Sequence, residues 1–296
     1  MLRQRLLLGP VLILLIVLGS WLDDAIDRTA LPAWAAELLQ RPTWPPGTIV
    51  FMVVSLLAVG GGLELSRIYR EKKIAVSRRV VITLALSGLS IIAFLPKSLD
   101  GTTAAAIMNS AVTLVLIGSL AFYSRHKQVE GMVTAAGGAL FAFVYLGMMF
   151  GFLVLIRREE SAWVVLWVLV STKASDIGAY FVGRSIGRHK MIPWLSPGKT
   201  WEGFFGGVIA SAGVAALGAW LLSRSGAAEI PPMAGVIFGI VFGVVGPVGD
   251  LVMSLVKRDA GIKDAGSSLP GFGGVLDVID SVLLAAPAAY WLLRLV

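Results

Sequence analysis

The chain has 296 residues, of which 57% are hydrophobic and only 15% charged, and its mean hydropathy is +0.84. Because soluble domains carry about a quarter charged residues, this composition excludes an ordinary soluble enzyme, and it equally excludes a disordered chain. The sequence contains no cysteine, which excludes disulfides, thiolate metal sites and a cysteine nucleophile. The net charge of +7 suits a membrane protein with basic cytoplasmic loops, and we expect no nucleic-acid partner because no basic stripe is interleaved with aromatic residues.

Apolar runs of about 20 residues predict helices that cross a bilayer. The chain contains nine such runs, at roughly 5–22, 48–66, 80–96, 104–124, 132–156, 161–182, 204–222, 233–256 and 276–295. Trp21, Asp23 and Asp24 follow the first run in place of the small residues of a cleavage site, so we expect a retained helix there. The predicted fold class is an all-α, polytopic membrane bundle of about nine transmembrane helices.

Basic residues concentrate in alternate loops of this predicted bundle. The loop between the second and third helices carries six of them against Glu71 alone, and the loops that follow the fourth, sixth and eighth helices also have a basic excess. Because positively charged loops stay in the cytoplasm, the pattern predicts a cytoplasmic N-terminus and an external C-terminus. The expected location is the inner (cytoplasmic) membrane of the cell.

The two halves of the chain differ in character. Residues 1–156 are almost purely hydrophobic and are predicted to form a helical scaffold with a possible role in dimerisation. Residues 157–296 concentrate glycine, proline and ionisable residues near membrane depth, and are predicted to form a catalytic region with a polar site facing the cytoplasm. In the first half, Glu64 is expected to reach the interface, toward Arg67.

Two polar segments of the second half each allow two interpretations. Lys173 and Asp176 are three apart on one helix, and an ion pair and a polar cavity explain them about equally well. The next loop contains Gly-Lys-Thr, but the Walker spacing fails because Pro193 stands where a glycine is needed. What remains is a group at the start of a helix, suited to an anion or, more simply, to a polar cap: Ser196, Lys199, Thr200 and Glu202.

The densest charged segment surrounds a glycine- and proline-rich turn, 269–274, between the last two helices. One helical stripe precedes the turn, formed by Asp250, Ser254, Lys257 and Arg258. Asp277 and Asp280 follow the turn and share a face, so the turn can bring them near Asp250. Three carboxylates near membrane depth need protons or a cation, and their hard oxygens suit Mg²⁺ with substrate phosphates as further ligands. Salt bridges at a helix–loop–helix turn are the simpler alternative.

The spacing of these polar residues matches a known signature. Its main part falls on Ser254, Lys257, Arg258, Lys263, Asp264, Pro270, Gly273, Gly274, Asp277 and Asp280. Its upstream parts fall on Asp176, Ala179, Tyr180 and Gly183, and on Ser196, Pro197, Lys199, Thr200, Glu202 and Gly203. With these residues the chain resembles the phosphatidate cytidylyltransferase family, also called CDP-diacylglycerol synthases, over about 170–285. The family histidine is Phe272 here and the family arginine is Val278.

The resemblance implies a nucleotidyltransferase of phospholipid biosynthesis that converts CTP and phosphatidate into CDP-diacylglycerol and diphosphate. It implies that Asp250, Asp277 and Asp280 hold Mg²⁺, with a second cation such as K⁺ beside it. The implied catalytic residues are Lys257, Arg258, Lys263 and Asp264. The implied substrate-binding residues are Asp176, Tyr180, Ser196, Lys199, Thr200, Glu202, Ser254, Gly273 and Gly274. A homodimer is compatible with the family, and the repeat Gly235, Gly239 and Gly243 offers either close helix packing or a dimer surface.

Three other functions stay open at this point. An ion-coupled transporter would also explain intramembrane acids, although it predicts an inverted repeat that the sequence does not show. A related CTP-dependent enzyme could act on another lipid, either as a polyprenol kinase or as an isoprenoid ether lipid cytidylyltransferase. A non-catalytic relative would account for the substitutions at Phe272 and Val278.

Overall fold

The computed structural model describes residues 2–296 except 126–128, 267, 269, 270 and 272, and for residues 2–8 it describes the backbone alone. The predicted turn residues Pro270 and Phe272 therefore lie outside the described residues. The helices are α1 (Leu2–Ile26), α2 (Ala33–Leu39), α3 (Thr48–Glu71), α4 (Arg78–Ala93), α5 (Gly101–Ser124), α6 (Met132–Phe141), α7 (Met149–Glu159), α8 (Ala162–Ile186), α9 (Trp201–Ser225), α10 (Pro232–Asp259) and α11 (Val275–Leu293). A π-helical segment, Ala142–Met148, joins α6 to α7.

Two short strands interrupt this helical bundle between α8 and α9. The strands β1 (Lys190–Ile192) and β2 (Ser196–Thr200) pair antiparallel as a hairpin. The sequence predicted that Ser196 and Lys199 stand at the start of a helix, which is wrong: they lie on β2, and α9 begins at Trp201. A five-residue strand carries too few positions for its period to be recognised.

Within the described residues, eight helical stretches are long and apolar enough to cross a membrane. One of them is Met132–Glu159, which runs through α6, the π-helical segment and α7. Such stretches satisfy all their backbone hydrogen bonds internally, which is the requirement for a segment in lipid. The predicted all-α, polytopic membrane fold is confirmed.

The third predicted span forms α4, which has 16 residues and falls short of that length. At 1.5 Å per residue it is about 24 Å long, against a hydrocarbon core of about 30 Å. Its neighbours cover it closely: a side chain on Gly88 of α4 would collide with the Phe143 carbonyl, and one on Gly147 would lie 2.5 Å from the Ala85 carbonyl. One face of the short helix is thus packed tightly against the π-helical segment.

Buried polar contacts tie several helix ends together on one side of the bundle, called here the opposite face. Asp23 at the end of α1 accepts hydrogen bonds from the amides of Ile49 and Val50 at the start of α3, at 2.7 and 3.0 Å. Arg157 near the end of α7 forms an ion pair with Asp23 and another with Asp27. These contacts lock α1, α3 and α7 together.

The other end of the bundle, called here the site face, carries the hairpin and the turn between α10 and α11. Lys72, just after α3, pairs with Asp259 at the end of α10, 2.8 Å apart. This contact shows that α3 and α10 end on the same side. Most of the polar residues that the sequence singled out lie toward this face.

The glycine repeat of α10 packs tightly on α9. An added side chain on Gly243 would lie 2.6 Å from the Val208 Cα, and one on Gly235 would lie 2.8 Å from the Ala215 carbonyl. The predicted close helix packing is confirmed, and its partner is a helix of the same chain. The suggestion that this surface mediates a homodimer is therefore wrong, because α9 already covers it.

Candidate active site

A polar cavity of about 300 Å³ lies at the site face, between the hairpin and four helices. Its lining combines four carboxylates with one lysine and a few small or aromatic side chains. The lining residues are Asp176, Ala179, Tyr180, Met191, Gly198, Lys199, Thr200, Gly203, Phe204, Pro247, Asp250, Asp277 and Asp280. Two grooves beside α5, of about 440 and 500 Å³, are lined by apolar and hydroxyl side chains and Arg79, and lack this charge pattern.

α8 supplies the wall that carries Asp176 and Tyr180. Asp176 accepts a hydrogen bond from Lys173 at 3.1 Å and one from the Ser281 hydroxyl at 3.4 Å. Lys173 also donates to the Ser281 hydroxyl at 2.7 Å, so it links α8 to α11. The Tyr180 hydroxyl accepts a bond from Arg184 at 2.7 Å. The ion pair and the polar cavity that the sequence offered as alternatives for Lys173 and Asp176 therefore coexist.

The hairpin supplies the second wall, because β2 leads directly into α9. Thr200 is the N-cap of α9 and accepts a hydrogen bond from the Gly203 amide at 3.1 Å. Lys199 turns toward α10, where its Nζ lies 2.8 Å from Asp250 Oδ2 and 3.1 Å from the Pro247 carbonyl. Lys199 therefore brings a positive charge into the cavity.

Two residues predicted to bind substrate, Ser196 on β2 and Glu202 in the first turn of α9, do not line the cavity. Glu202 faces the start of the hairpin, where it accepts bonds from the amides of Arg188 and His189 and contacts the His189 ring at 2.6 Å. Ser196 stands at the far end of β2 and is absent from the lining. The structure gives Glu202 a local structural contact and brings neither residue to the acids.

Asp250 and Asp280 provide the acidic side of the cavity. Asp250 pairs with Lys199 and accepts a bond from the Ser254 hydroxyl, one helical turn later, at 3.4 Å. Asp280 is 4% exposed, and its carboxylate accepts the Ser281 amide at 2.6 Å. No lysine or arginine among the described residues forms an ion pair with Asp280. A buried carboxylate without a paired cation calls for a counter-charge.

Asp277 is more fully engaged than the other two acids. It forms an ion pair with Lys257 at 2.5 Å, and its second oxygen accepts the Gly274 amide at 2.9 Å. Gly273 has a φ of +95°, and a side chain there would lie 2.9 Å from the same oxygen. The positive φ and this crowding explain why glycine stands at position 273.

These acids suit a Mg²⁺ ion that is bound jointly by protein carboxylates and substrate phosphates. They do not form a complete metal site of protein ligands alone. Within the part of the chain that the structure describes, no three His, Cys, Asp or Glu side chains converge as a ready metal site. Mg²⁺ usually takes one or two carboxylates and completes its shell with water and substrate phosphates. All three acids line the cavity. Asp280 has no paired lysine or arginine among the described residues, and Asp250 pairs with Lys199 through one oxygen. Asp277 has both oxygens engaged, by Lys257 and by the Gly274 amide. Asp250 and Asp280 therefore leave more oxygen free for a metal.

The remaining signature residues lie outside the cavity lining. Lys257 is 8% exposed and is held by Asp277. Arg258 is exposed and donates to the Ile262 carbonyl at 3.4 Å. Lys263 and Asp264 are exposed in the loop between α10 and α11. The structure thus brings Lys257 next to an acid of the site but does not bring the other three there.

Sequence reasoning missed one residue beside the site. Glu64 on α3 does not reach toward Arg67 at the interface as expected: its carboxylate is buried and accepts hydrogen bonds from the amides of Val275 and Leu276, at 2.9 Å each. The available signals were its charge near membrane depth and the glycines Gly60–Gly62 just before it. Neither signal identifies a hydrogen-bond partner that lies more than 200 positions away in the sequence.

The fold and this cavity define a class of protein, a polytopic helical membrane protein with an acid-lined polar site toward one face. The family model described as "Cytidylyltransferase family" matches residues 28–296, and the chain belongs to that family. The chain is similar to the phosphatidate cytidylyltransferase of Bacillus subtilis, with 32% identity over 250 residues, which is 81% of this chain and 88% of the relative.

Two further relatives match mainly one half of the chain. A phosphatidate cytidylyltransferase of Mycobacterium bovis is 38% identical over 146 residues, covering 49% of this chain and 46% of the relative. The uncharacterized protein YnbB of Escherichia coli K12 is 41% identical over 136 residues, covering 46% of this chain and 44% of the relative. In both cases the match spans less than half of the relative's length.

Proposed function

We propose that the protein is a phosphatidate cytidylyltransferase, which forms CDP-diacylglycerol and diphosphate from CTP and phosphatidate. The observation that carries this proposal is the convergence of three separate signature segments on one cavity, where Asp176, Lys199 and Asp280 each represent one segment and Asp250 adds a further acid. Membership of the cytidylyltransferase family and the Bacillus subtilis relative support the nucleotide chemistry. The membrane-spanning fold supports a lipid acceptor.

In this reaction a phosphate oxygen of phosphatidate attacks the α-phosphorus of CTP. A new P–O–P bond forms, the bond between the α- and β-phosphates breaks, and diphosphate leaves with the bonding electrons. Because the attacking oxygen is already anionic, no strong general base is required. Catalysis then depends on positioning the two anionic substrates and on neutralising their charge.

The chain's own residues divide these roles. Lys199 supplies a cation for phosphate oxygens and is held toward the cavity by Asp250. Thr200 is the N-cap of α9, and this helix N-terminus provides a polar binding site for an anion. Asp250 and Asp280 would hold Mg²⁺, which supplies charge neutralisation on the triphosphate; a second cation such as K⁺ belongs to the same proposal.

Lys257 supports Asp277, and its proposed catalytic role requires it to exchange that partner for a phosphate oxygen. Arg258, Lys263 and Asp264 are exposed at the same face, and their catalytic roles require the loop between α10 and α11 to approach the bound nucleotide. Tyr180 and Asp176 form the cavity wall on α8. Gly273 and Gly274 shape the turn that presents Asp277.

The site face is proposed to lie in the cytoplasm, where CTP is found. Its support is the basic excess of alternate loops, which the positive-inside rule places there. The cell membrane is the proposed location. Residues 1–156 then act as a scaffold and 157–296 as the catalytic region, with Glu64 a contact that joins the two.

The proposal is tested on purified protein in mixed micelles with phosphatidate, labelled CTP and Mg²⁺. Diphosphate release and entry of label into the lipid are followed together, with Asp280→Asn as the inactive control. We expect coupled release and labelling, both lost in the control. Binding of CTP without lipid labelling would overturn phosphatidate as the acceptor, and solute movement across proteoliposomes without CTP would favour a transporter.

One observation favours a second acceptor lipid. Val278 stands in the first turns of α11, two residues before Asp280, where the family signature has an arginine. Loss of that cation changes the charge available to an anionic headgroup beside the acids. The same assay with an isoprenoid ether lipid phosphate as acceptor, and a parallel assay with a polyprenol and CTP labelled in its γ-phosphate, separate a changed lipid preference from an inactive relative.

A further inference from the structure

Glu64 is a charged side chain buried between the two halves of the chain. It lies on α3, is 5% exposed, and forms no ion pair with any described residue. Its carboxylate accepts three hydrogen bonds, from the amides of Val275 and Leu276 at 2.9 Å and from the Ser268 hydroxyl at 2.6 Å. These three donors lie at the start of α11 or in the loop before it.

The local sequence leaves space for this carboxylate. An added side chain on Gly266 would lie 2.5 Å from Glu64 Oε1, and one on Gly274 would collide with Oε2. On α3, side chains added to Gly60 and Gly61 would lie 3.2 Å from Val275 and 3.1 Å from Leu276. Glycines on both sides thus let α11 approach α3 until its first amides reach the carboxylate.

The first amides of a helix have no partner within the helix, and a negative charge there is stabilised by the helix dipole. In α11 two carboxylates bind these amides, since Asp277 accepts the Gly274 amide and Glu64 accepts the next two. The same turn carries Asp277 itself and leads one turn later to Asp280. The backbone that Glu64 holds is therefore the backbone that presents two acids of the cavity.

We propose that Glu64 is a positioning residue for the acidic site: its carboxylate fixes the first turn of α11 and so sets where Asp277 and Asp280 stand in the cavity. The proposal that Glu64 anchors α11 depends only on the contacts described above. The proposed effect of Glu64 on metal binding and turnover rests on the proposed function. Without the carboxylate, the amides of Val275 and Leu276 lose their acceptor, and the first turn of α11 loses its anchor to α3.

The test compares Glu64→Ala and Glu64→Gln with the wild type and with Glu71→Gln, a matched control because Glu71 is exposed on the same helix. Hydrogen exchange of the amides at 275–277 is measured first, in detergent. For Glu64→Ala we expect exchange about tenfold faster at these amides, with α9 and α10 unchanged. Glu64→Gln keeps one acceptor oxygen, so its exchange rates are expected to lie between those of the wild type and Glu64→Ala. Glu64→Gln also provides the test if Glu64→Ala does not fold.

The second measurement is Mn²⁺ binding, followed by electron paramagnetic resonance in the presence of CTP. We expect affinity to fall by about tenfold in Glu64→Ala and to stay unchanged in Glu71→Gln, since partners behind a metal ligand typically have effects of this size. The Mg²⁺ concentration for half-maximal turnover should rise in parallel, with a smaller effect in Glu64→Gln.

The outcomes separate the inference from the proposed function. Unchanged exchange at 275–277 in both variants overturns the anchoring role. Faster exchange with unchanged Mn²⁺ affinity overturns the positioning role and leaves Glu64 as a structural contact. A wild type that binds Mn²⁺ with CTP but does not use phosphatidate contradicts the proposed function alone, because exchange and Mn²⁺ binding still test Glu64.

Discussion

Lys199 on the hairpin and Asp250 on α10 form an ion pair, 2.8 Å between Nζ and Oδ2, that joins two walls of the same cavity. A second pair, Lys72 and Asp259, has the same separation but lies outside the cavity. The two pairs have the same N–O distance and differ in their location, so the Lys72–Asp259 pair serves as a control for the Lys199–Asp250 pair.

The first prediction concerns these two pairs. Lys199→Met and Asp250→Asn should each lower kcat/KM for CTP by about 100-fold, because Lys199 would pair with phosphate oxygens and Asp250 would hold the Mg²⁺ that neutralises the triphosphate. Their double variant should lose less than the product of the two, since neighbouring residues do not act additively. Lys72→Met and Asp259→Asn should leave kcat/KM nearly unchanged. Equal losses at both pairs would contradict a special role for the cavity pair.

The second prediction concerns the metal. Mg²⁺ with CTP should raise the unfolding temperature of the wild type in detergent, because a ligand that binds only the folded state stabilises it. Asp280→Asn should abolish this increase while Asp259→Asn retains it, since Asp280 is buried without a paired cation and Asp259 is exposed. An undiminished Mg²⁺ effect in Asp280→Asn would show that the metal binds elsewhere.

The third prediction concerns the contact between α9 and α10. Gly239→Ala should destabilise the protein by about 1–3 kcal/mol, because the added methyl group would collide with the backbone of Ser211 and Ala212. Gly213→Ala is the matched control: nothing lies within 4 Å of that position, and alanine favours a helix more than glycine does. Unfolding in detergent measures both, and a harmless Gly239→Ala would show that the two helices can separate.

The fourth prediction concerns the opposite face. Arg157 is buried among Asp23, Asp24 and Asp27, so Arg157→Met leaves three carboxylates without their cation. The expected loss is about 3–5 kcal/mol, the usual effect of breaking a buried ion pair. Arg224→Met at the exposed end of α9 should cost less than about 0.5 kcal/mol. Unfolding measurements on both variants compare the two losses.

The same variant should show a characteristic pH dependence. Burial already raises the pKa of Asp27 above its usual range, and Arg157 opposes that rise. An acid whose pKa is higher in the folded state is costly when ionised, and this cost disappears as the pH falls. Arg157→Met should therefore regain stability on acidification from pH 8 toward pH 5, relative to the wild type. A constant difference across that range would contradict this explanation.

Much of the fold could be predicted from the sequence because a lipid bilayer permits only a few kinds of spanning backbone structure. Apolar runs such as 104–124 and 132–156 predict helices with small errors at their ends, since backbone groups in a bilayer must be satisfied within the segment. The run 80–96 also forms a helix, but that helix begins at Arg78 and ends after 16 residues, at Ala93. Hydropathy reports only how apolar a run is, so it could not reveal the early end of α4 or its close packing on the π-helical segment.

The site was predictable where the signature residues point inward. Asp176, Lys199 and Asp280 belong to separate signature segments and line one cavity together with Asp250, as their shared chemistry suggests. Arg258, in the last turn of α10, and Lys263, in the loop after it, match the same signature but are exposed, because spacing along a chain does not fix the direction of a side chain. Glu64 was assigned a local partner because its actual partners, the amides of α11, are backbone groups that every sequence possesses.

The contact between α3 and α11 has a consequence for biosynthesis. Helices enter the membrane in chain order, and 211 positions separate Glu64 from Val275. Until α11 is inserted, the α3 carboxylate has no amides to bind, and an unpaired charge at membrane depth is costly. A chain interrupted before α11 therefore carries an unpaired carboxylate where the complete protein has a satisfied one, which gives cellular quality control a physical difference on which to act.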